Sequence, residues 1–329
     1  MIRFFVLLAA LGFALPAVAK TRLKVATLAP KGSIFYTVML ELGETWKTLS
    51  DGEVELKIYP GGVAGDDKDV VRKMRLGTMD GGLLTMAGFA AVDEAIHSLI
   101  LPLFYKDDTE LEHVLNGLTP DLNAAYEAKG FVPLTYISGG WVRFFTVQQG
   151  CTPDEIKSRK LFVFADSPVE KLWKDAGYNP VPLPVTEIST ALQTGLLDAL
   201  PSTPQAVMLM QWNKHVPHMC EAIWAPMVGG LLVRKEAWEK IDAGLRDKLK
   251  AAAQAAGEKL RTEAKKSETD ALAAMVERGL KVVPMDAALR ATWQARTEER
   301  YAVIRGGFAP EVFFDKAKAL RDSFRALAK

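Results

Sequence analysis

The sequence is poor in cysteine and in histidine. It has two cysteines and four histidines in 329 residues. Two cysteines exclude a disulfide framework and a four-thiolate metal site. The sequence also has no large excess of either charge, because 41 Lys and Arg residues balance 40 Asp and Glu residues. That balance gives no electrostatic reason to expect a nucleic-acid partner.

The familiar motifs of catalysis are also missing. Neither a Gly-x-Ser-x-Gly elbow nor a Gly-x-x-x-x-Gly-Lys phosphate loop occurs. The best metal candidate is His215-x-x-His218-x-x-Glu221, whose spacing suits one helical face. Pro217 makes a regular helix there doubtful, so we favour a surface or capping role. A secreted metal-dependent enzyme is the alternative from another functional class.

The one long apolar run stands at the start of the chain. Residues 1–3 are a short basic start, residues 4–15 are uncharged and apolar, and Ala17-Val18-Ala19 is a small-residue cleavage pattern. This order predicts a signal peptide cleaved after Ala19, and therefore a periplasmic protein. An uncleaved anchor is the alternative, but the run is shorter than the roughly 20 residues of a spanning helix.

Export changes how the two cysteines are interpreted. An oxidising compartment permits a disulfide between Cys151 and Cys220, whereas a reducing cytosol does not. The sequence alone cannot pair them. We favour two buried or isolated thiols and keep the disulfide as the alternative.

Apolar periodicity predicts an α/β fold. The first strand precedes a helix capped by Ser33, and further strands and helices alternate after it, which is typical of a mostly parallel sheet. The predicted strands are 22–28, 53–59, 79–86, 131–138, 142–147, 160–164 and 179–184. The predicted helices are 34–49, 66–76, 109–129, 167–176 and 186–196, the last capped by Thr186.

A much longer helix is predicted at 245–277. Its apolar stripe continues without proline, and at 1.5 Å per residue it would be about 50 Å long. One domain cannot cover such a length. We therefore expect a helix that bridges two lobes.

Aromatic residues collect where the second group of strands turns into loops. Trp141, Phe144 and Phe145 surround the single cation Arg143. Because ligands of α/β sheets lie at strand ends, this pattern predicts a pocket with one cation and an aromatic wall. Since catalytic motifs are missing, we expect binding, and neither an enzyme nor a cofactor.

Four segments of the sequence are informative in combination: Ile58-Tyr-Pro-Gly-Gly-Val-Ala-Gly-Asp-Asp67, Arg75-Leu-Gly-Thr-Met-Asp80, Glu155-Ile-Lys-Ser-Arg-Lys-Leu-Phe-Val163 and Thr186-Glu-Ile-Ser-Thr-Ala-Leu-Gln-Thr-Gly-Leu-Leu-Asp198. In this order and spacing they resemble the extracytoplasmic solute-binding proteins of tripartite ATP-independent periplasmic (TRAP) transporters, the dicarboxylate-receptor-like family. The resemblance implies a two-lobed receptor that closes on an organic acid and delivers it to membrane permease subunits. It also implies a long helix under both lobes. We expect lobe I at 20–140 plus 228–268 and lobe II at 141–227 plus 269–329.

The sequence departs from the family at one position. The family usually has an arginine there that binds the ligand carboxylate in a bidentate pair. Here the residue is Phe162, which cannot donate hydrogen bonds. Either Arg143, which matches a second ligand-side arginine, holds the carboxylate, or the ligand is neutral or largely apolar and packs on Phe162.

Other wall positions follow from the same resemblance. Because this set is rich in apolar side chains, it predicts a ligand with a substantial hydrophobic part. The positions are Leu28, Pro30, Thr85, Met86, Trp141, Ser202 and Thr203.

Overall fold

Strands and helices alternate along the chain, as the apolar pattern predicted. The structure is a computed structural model that describes residues 20–165 and 167–327. The predicted signal peptide, residues 1–19, and its cleavage site lie outside the described residues.

The elements are numbered in chain order. The strands are β1 Thr21–Thr27, β2 Val54–Tyr59, β3 Gly81–Thr85, β4 Phe131–Thr146, β5 Lys160–Phe164, β6 Asn179–Leu183, β7 Ala199–Ser202, β8 His218–Cys220, β9 Ala225–Arg234 and β10 Lys281–Val283. The helices are α1 Ile34–Leu49, α2 Asp67–Arg75, α3 Met86–Ala90, α4 Asp108–Ala128, α5 Pro153–Lys157, α6 Pro168–Asp175, α7 Ile188–Gln193, α8 Pro204–Leu209, α9 Lys235–Trp238, α10 Ala243–Glu277, α11 Ala287–Glu298, α12 Tyr301–Gly307 and α13 Glu311–Leu327. Short 3-10 helices lie at Glu94–Leu99, Val185–Glu187 and Trp212–Lys214.

The strands form a mixed sheet in the order β2-β1-β3-β9-β4-β7-β5-β6, with β8 and β10 on a side branch from β4. The outer pairs β1–β2, β1–β3, β5–β6 and β5–β7 are parallel. In the centre, β9 pairs antiparallel with β3 and with β4, and β4 pairs antiparallel with β7. The prediction of a mostly parallel sheet therefore describes the flanks but is wrong for the centre, because the apolar pattern of a strand does not specify the direction of its distant partner.

Strand β4 joins the two halves of the sheet. Its first part pairs with β9, and its last four residues pair with β7. The sequence predicted two strands separated at Gly139-Gly140, but the structure has one strand of 16 residues. Its register shifts between Ser138 and Trp141, and Gly140 has φ +100°. The glycine pair is therefore a bulge inside a continuous strand, and not a turn.

The long bridging helix is confirmed as α10, which has 35 residues and begins at the N-cap Asp242. It contacts α1, β4 and α8, and so reaches elements from both halves of the sheet. Gly257 allows its closest approach to β4, because a Cβ there would lie 2.1 Å from Thr135 Oγ1.

Capping predictions have mixed outcomes. The Ser33 hydroxyl accepts a hydrogen bond from the Tyr36 N–H at 3.2 Å, so this N-cap is confirmed. The Thr186 cap is wrong, because a 3-10 turn precedes α7 and its N-cap is Glu187, without a side-chain bond.

The favoured prediction of unpaired thiols is also wrong. Cys151 and Cys220 form a disulfide with Cα atoms 5.7 Å apart. The bond joins the loop after β4 to the end of β8, which lies beside β4 in the sheet. This long-range strand pairing brings the two thiols together and cannot be derived from their separation of 69 residues.

The last helix returns to the first half of the molecule. Phe314 and Ala317 of α13 share a buried cluster with Leu118 and Leu122 of α4. The lobe boundaries remain a proposal. They assign α13 to lobe II, but α13 packs on α4, which they assign to lobe I. Within the described residues, none of the helices is both long enough and apolar enough to cross a membrane.

Candidate functional site

Three strand ends meet around a small cavity, which we call the cleft cavity. It has a volume of about 190 Å³ and lies where β1, β3 and β7 end. Five of the nine predicted ligand residues line it: Leu28, Pro30, Thr85, Ser202 and Thr203. These five residues therefore lie around one cavity although they are up to 175 positions apart in the chain, from Leu28 to Thr203.

Two of these residues are helix caps. Thr203 begins α8 and accepts a hydrogen bond from the Ala206 N–H at 3.2 Å. Thr85 begins α3, and its hydroxyl donates to Asp67 Oδ2 at 2.6 Å. Burial raises the pKa of Asp67 to about 7, although its hydrogen bonds from Thr85 oppose this shift. A buried carboxyl group thus lies directly behind the cleft wall.

Sequence reasoning missed part of the cleft wall, and these missed residues are mostly apolar. They come from α1, from the end of β5, from α8 and the 3-10 turn behind it, and from β9. They include Phe35, Phe164, Leu209, Met210, Trp212 and Met227. Phe164 had a signal, because it stands two residues after Phe162 on the same strand and therefore shares its face.

A larger cavity adjoins the cleft cavity. We call it the tryptophan cavity, since Trp173, Trp224 and Trp293 line it together with the predicted residues Met86 and Phe162. Its volume is about 480 Å³. Its walls come from both halves of the chain, and three residues are shared with the cleft cavity: Phe164, Pro201 and Met227.

The remaining predicted residues, Trp141 and Arg143, line neither cavity. The Arg143 guanidinium forms an ion pair with Glu268 on α10, with Nη1 and Oε1 2.6 Å apart. The other carboxylate oxygen of Glu268 accepts from the Trp141 N–H, and the Trp141 indole donates to Asp108 Oδ1 at 2.8 Å. Arg143 thus has a protein carboxylate where the sequence predicted a ligand carboxylate.

The histidine cluster does not form a site. His218 lies in β8, where it pairs with Lys281 of β10, so His215, His218 and Glu221 do not share the helical face that metal binding would need. Glu221 accepts hydrogen bonds from Arg290 and from the Met285 N–H. Among the residues that the structure describes, no group of three His, Cys, Asp or Glu side chains could hold a metal ion.

A third cavity, the disulfide cavity, lies beside Cys151 and Cys220 and has a volume of about 830 Å³. It shares Trp224 and Trp293 with the tryptophan cavity. The arginines on its walls have carboxylate partners: Arg290 binds Glu221, Arg321 binds Asp322 and Arg325 binds Glu110.

A two-part mixed sheet bridged by a long helix, with cavities at the strand ends, defines a two-lobed ligand-binding protein. Residues 25–305 match the model of bacterial extracellular solute-binding protein, family 7. The chain belongs to this family, which confirms the resemblance to the solute-binding proteins of TRAP transporters. Members of the family are binding proteins located outside the cytoplasm.

Curated relatives agree with the family match. The 2,3-diketo-L-gulonate-binding periplasmic protein YiaO of Escherichia coli is 31% identical over 45% of this chain and 46% of its own length. A Haemophilus influenzae protein is 26% identical over 56% of this chain and 57% of its own length, so the chain spans about half of both relatives. The C4-dicarboxylate-binding periplasmic protein DctP of Rhodobacter capsulatus is 24% identical over 85% of this chain and 84% of its own length.

Solved structures share the fold. The sugar acid binding protein DctPAm from Advenella mimigardefordensis, in complex with galactonate, has a TM-score of 0.85 at 20% identity, covering 92% of this chain and 99% of that protein. A TRAP periplasmic solute-binding protein from Citrobacter koseri with bound D-glucuronate has a TM-score of 0.81 at 24% identity, covering 92% and 98%. The two-lobed fold with a helix across both lobes is thereby confirmed.

Proposed function

We propose that the protein is a periplasmic receptor of a TRAP-type transporter that captures an organic acid with a substantial hydrophobic part. It delivers this solute to the membrane permease subunits and performs no catalysis. The family match supports the receptor class. Organic acids are supported by relatives, since DctP of Rhodobacter capsulatus is named for C4-dicarboxylates and DctPAm holds galactonate.

The hydrophobic part of the ligand is supported by the walls of the cleft. Leu28 and Pro30 face the cleft cavity beside Phe164 and Met227. Such a wall offers few partners to the many hydroxyl groups of a sugar acid, and each unpaired group costs free energy. The apolar lining that begins in this cavity and continues into the adjoining tryptophan cavity is the observation that carries the proposal.

A second candidate is a receptor for a neutral or apolar ligand. Two observations favour it: Phe162 stands where the family usually has the clamp arginine, and Arg143 is already paired with Glu268. Among the residues that the structure describes, no Lys or Arg lines the cleft cavity. A neutral ligand would need none there.

Native mass spectrometry of protein purified without refolding tests the proposal, because a closed receptor retains its solute. We expect a bound mass that denaturation releases, and a carboxylic acid when that mass is identified. A neutral compound would support the second candidate. Metal analysis of the same sample addresses the enzyme alternative, which requires stoichiometric metal.

A thermal-shift screen gives an independent readout. A ligand at 100 times its dissociation constant stabilises the folded state by about 2.7 kcal/mol. The screen should contain hydrophobic monocarboxylates, C4-dicarboxylates and sugar acids. If none of these acids raises the melting temperature, the organic-acid proposal is contradicted.

A further inference from the structure

The cleft cavity is too small for a ligand with a sizeable hydrophobic body. Its volume of about 190 Å³ lies below the roughly 300–1,000 Å³ of ordinary ligand sites. The tryptophan cavity, at about 480 Å³, lies inside that range. Phe164, Pro201 and Met227 form a common wall, so the two cavities adjoin.

Three indoles form an aromatic wall of the tryptophan cavity. Trp173 and Trp224 are stacked, with ring centroids 5.5 Å apart and planes 30° from parallel. Trp224 meets Trp293 edge to face at 5.3 Å. Trp173 is half-buried, so a bound molecule can reach the cluster. Indole faces and edges offer stacking and edge contacts to a flat aromatic ring.

The same cavity contains a guanidinium that has no anionic partner among the described residues. Arg296 is occupied, because its guanidinium binds both carboxylate oxygens of Asp154, at 2.8 and 3.1 Å. Lys157 also lines the cavity, but its ammonium is a point charge and lacks the planar fork of a guanidinium. Arg300 lines the cavity, is half-buried, and has neither a hydrogen bond nor an ion pair from its side chain to any residue within 20–165 and 167–327.

The acidic side chains of the cavity, Asp175 and Glu299, are both exposed. Asp175 forms an ion pair with Lys171 at 2.5 Å. Glu299 precedes Arg300 in the chain but forms no ion pair with it. A half-buried guanidinium whose donors have no partner among the described residues is suited to a bidentate pair with a carboxylate. The disulfide cavity offers no such group among its arginines, since all three are paired.

We propose that the tryptophan cavity binds an aromatic monocarboxylate, with its ring among the three indoles and its carboxylate on Arg300. Arg300 then replaces the clamp arginine that the family usually has at the position of Phe162, a residue of the same cavity. This inference rests on the proposed receptor function and specifies the class of ligand and its anchor.

The probe for the test is 3-phenylpropionate, compared with its neutral amide, 3-phenylpropanamide, and with D-glucuronate. Isothermal calorimetry on the full mature chain should show binding of 3-phenylpropionate. Arg300→Ala should weaken it about 10- to 100-fold, which is the effect of losing a charge-assisted hydrogen-bonding pair. Arg278→Ala is the matched control, because Arg278 is exposed and lines none of the three cavities.

Arg300→Gln provides a second variant that keeps hydrogen-bond donors and most of the side-chain volume. It should also bind the acid more weakly, while binding of the amide should change little in either variant. Tryptophan fluorescence should shift on addition of 3-phenylpropionate, because three indoles line the cavity.

The inference is overturned if 3-phenylpropionate does not bind, or if both Arg300 variants bind it as tightly as Arg278→Ala does. Binding of D-glucuronate in place of the aromatic acid would also overturn it, but would leave the receptor proposal intact. Failure of every acid to bind, including the acids of the thermal-shift screen, would contradict the organic-acid proposal as well.

Discussion

At the scale of single residues, the ion pair between Arg143 and Glu268 decides between two roles for Arg143. Both side chains are mostly buried, with exposed fractions of 17% and 14%. Glu268 also holds the Trp141 N–H beside the bulge of β4. These contacts place the pair between the strand that joins both halves of the sheet and the helix that spans them.

We therefore expect Arg143→Ala to lower the free energy of unfolding by about 1–3 kcal/mol, because it leaves a mostly buried carboxylate unpaired. Glu268→Gln should destabilise the protein less, since the amide still accepts a hydrogen bond. Urea unfolding measures both effects. Affinity for the retained solute should stay within about threefold of the wild type; a loss of tenfold or more in Arg143→Ala alone would assign Arg143 to the ligand.

The raised pKa of Asp67 predicts that the free energy of unfolding depends on pH. Burial raises its pKa from an ordinary value near 3.9 to about 7. Between these values the folded state binds more protons than the unfolded state. The contribution of Asp67 to stability is therefore largest at low pH and falls as pH rises towards 7, by at most about 1.4 kcal/mol per pH unit.

Asp67→Asn should remove this slope, because the amide does not titrate and still accepts from Thr85. Urea unfolding at a series of pH values from about 5 to 8 measures it for both proteins. The difference between them is the relevant quantity, since buried His97, whose pKa burial lowers to about 4, contributes the opposite trend. Parallel curves would show that Asp67 titrates normally.

Residue-scale prediction succeeded where local chemistry decides the outcome. Ser33 caps α1 through its own side chain, and it was visible as a capping residue before an apolar helical period. Prediction failed where contacts with distant elements determine the outcome. The Cys151–Cys220 bond depends on β8 lying beside β4, and the partner of Arg143 comes from a helix 125 positions away.

At the scale of elements, α10 was predicted within two residues of its start, because an uninterrupted apolar stripe is a strong helical signal. Strand β4 was instead predicted as two strands, because Gly139-Gly140 locally resembles a turn. Its continuity comes from pairing with β9 on both sides of the bulge, which the local sequence does not contain.

The contact between α10 and β4 can be tested at Gly257. Alanine is the better helix former by roughly 1 kcal/mol, so an isolated helix would gain stability from Gly257→Ala. Here the new Cβ would lie 2.1 Å from Thr135 Oγ1 and 3.0 Å from Thr135 Cβ. We expect a net loss of about 1–3 kcal/mol in urea unfolding, because overpacking outweighs propensity.

The double variant Gly257→Ala with Thr135→Ala should recover most of this loss, because it removes the Thr135 hydroxyl and methyl groups. Thr135→Ala alone serves as the control. Equal stability of Gly257→Ala and the wild type would mean that α10 does not approach β4 as closely as the structure has it.

At the scale of the whole molecule, sequence reasoning predicted the two-part architecture and five residues of the cleft wall, but only Met86 and Phe162 of the tryptophan cavity. The resemblance supplied Leu28, Thr85 and Ser202, which lie at the end of a strand or directly after it. Trp173 lies on α6, Trp224 in the loop before β9 and Trp293 on α11, and only tertiary packing brings them to one cavity.

The two halves touch across the cleft through polar contacts that do not involve a ligand. Lys68 on α2 donates to the backbone carbonyl of Ala165, and Asp66 accepts from the Val185 N–H at 3.4 Å. Residues 165 and 185 follow β5 and β6, so these bonds link α2 to the other half of the sheet. Ligand binding should favour the closed form by its differential affinity for that form.

Lys68→Met is therefore expected to weaken solute binding about threefold to tenfold without touching the ligand, because it removes one bond of the closed form. Small-angle scattering should show a larger radius of gyration for the ligand-free variant than for the wild type, and both should contract to the same value at saturation. Lys73→Met is the control, since Lys73 lies on the same helix but bonds to Ala64 of its own half. If saturating ligand leaves the radius of gyration unchanged in all three proteins, the lobes do not close on the solute, and the bonds at Lys68 and Asp66 are permanent.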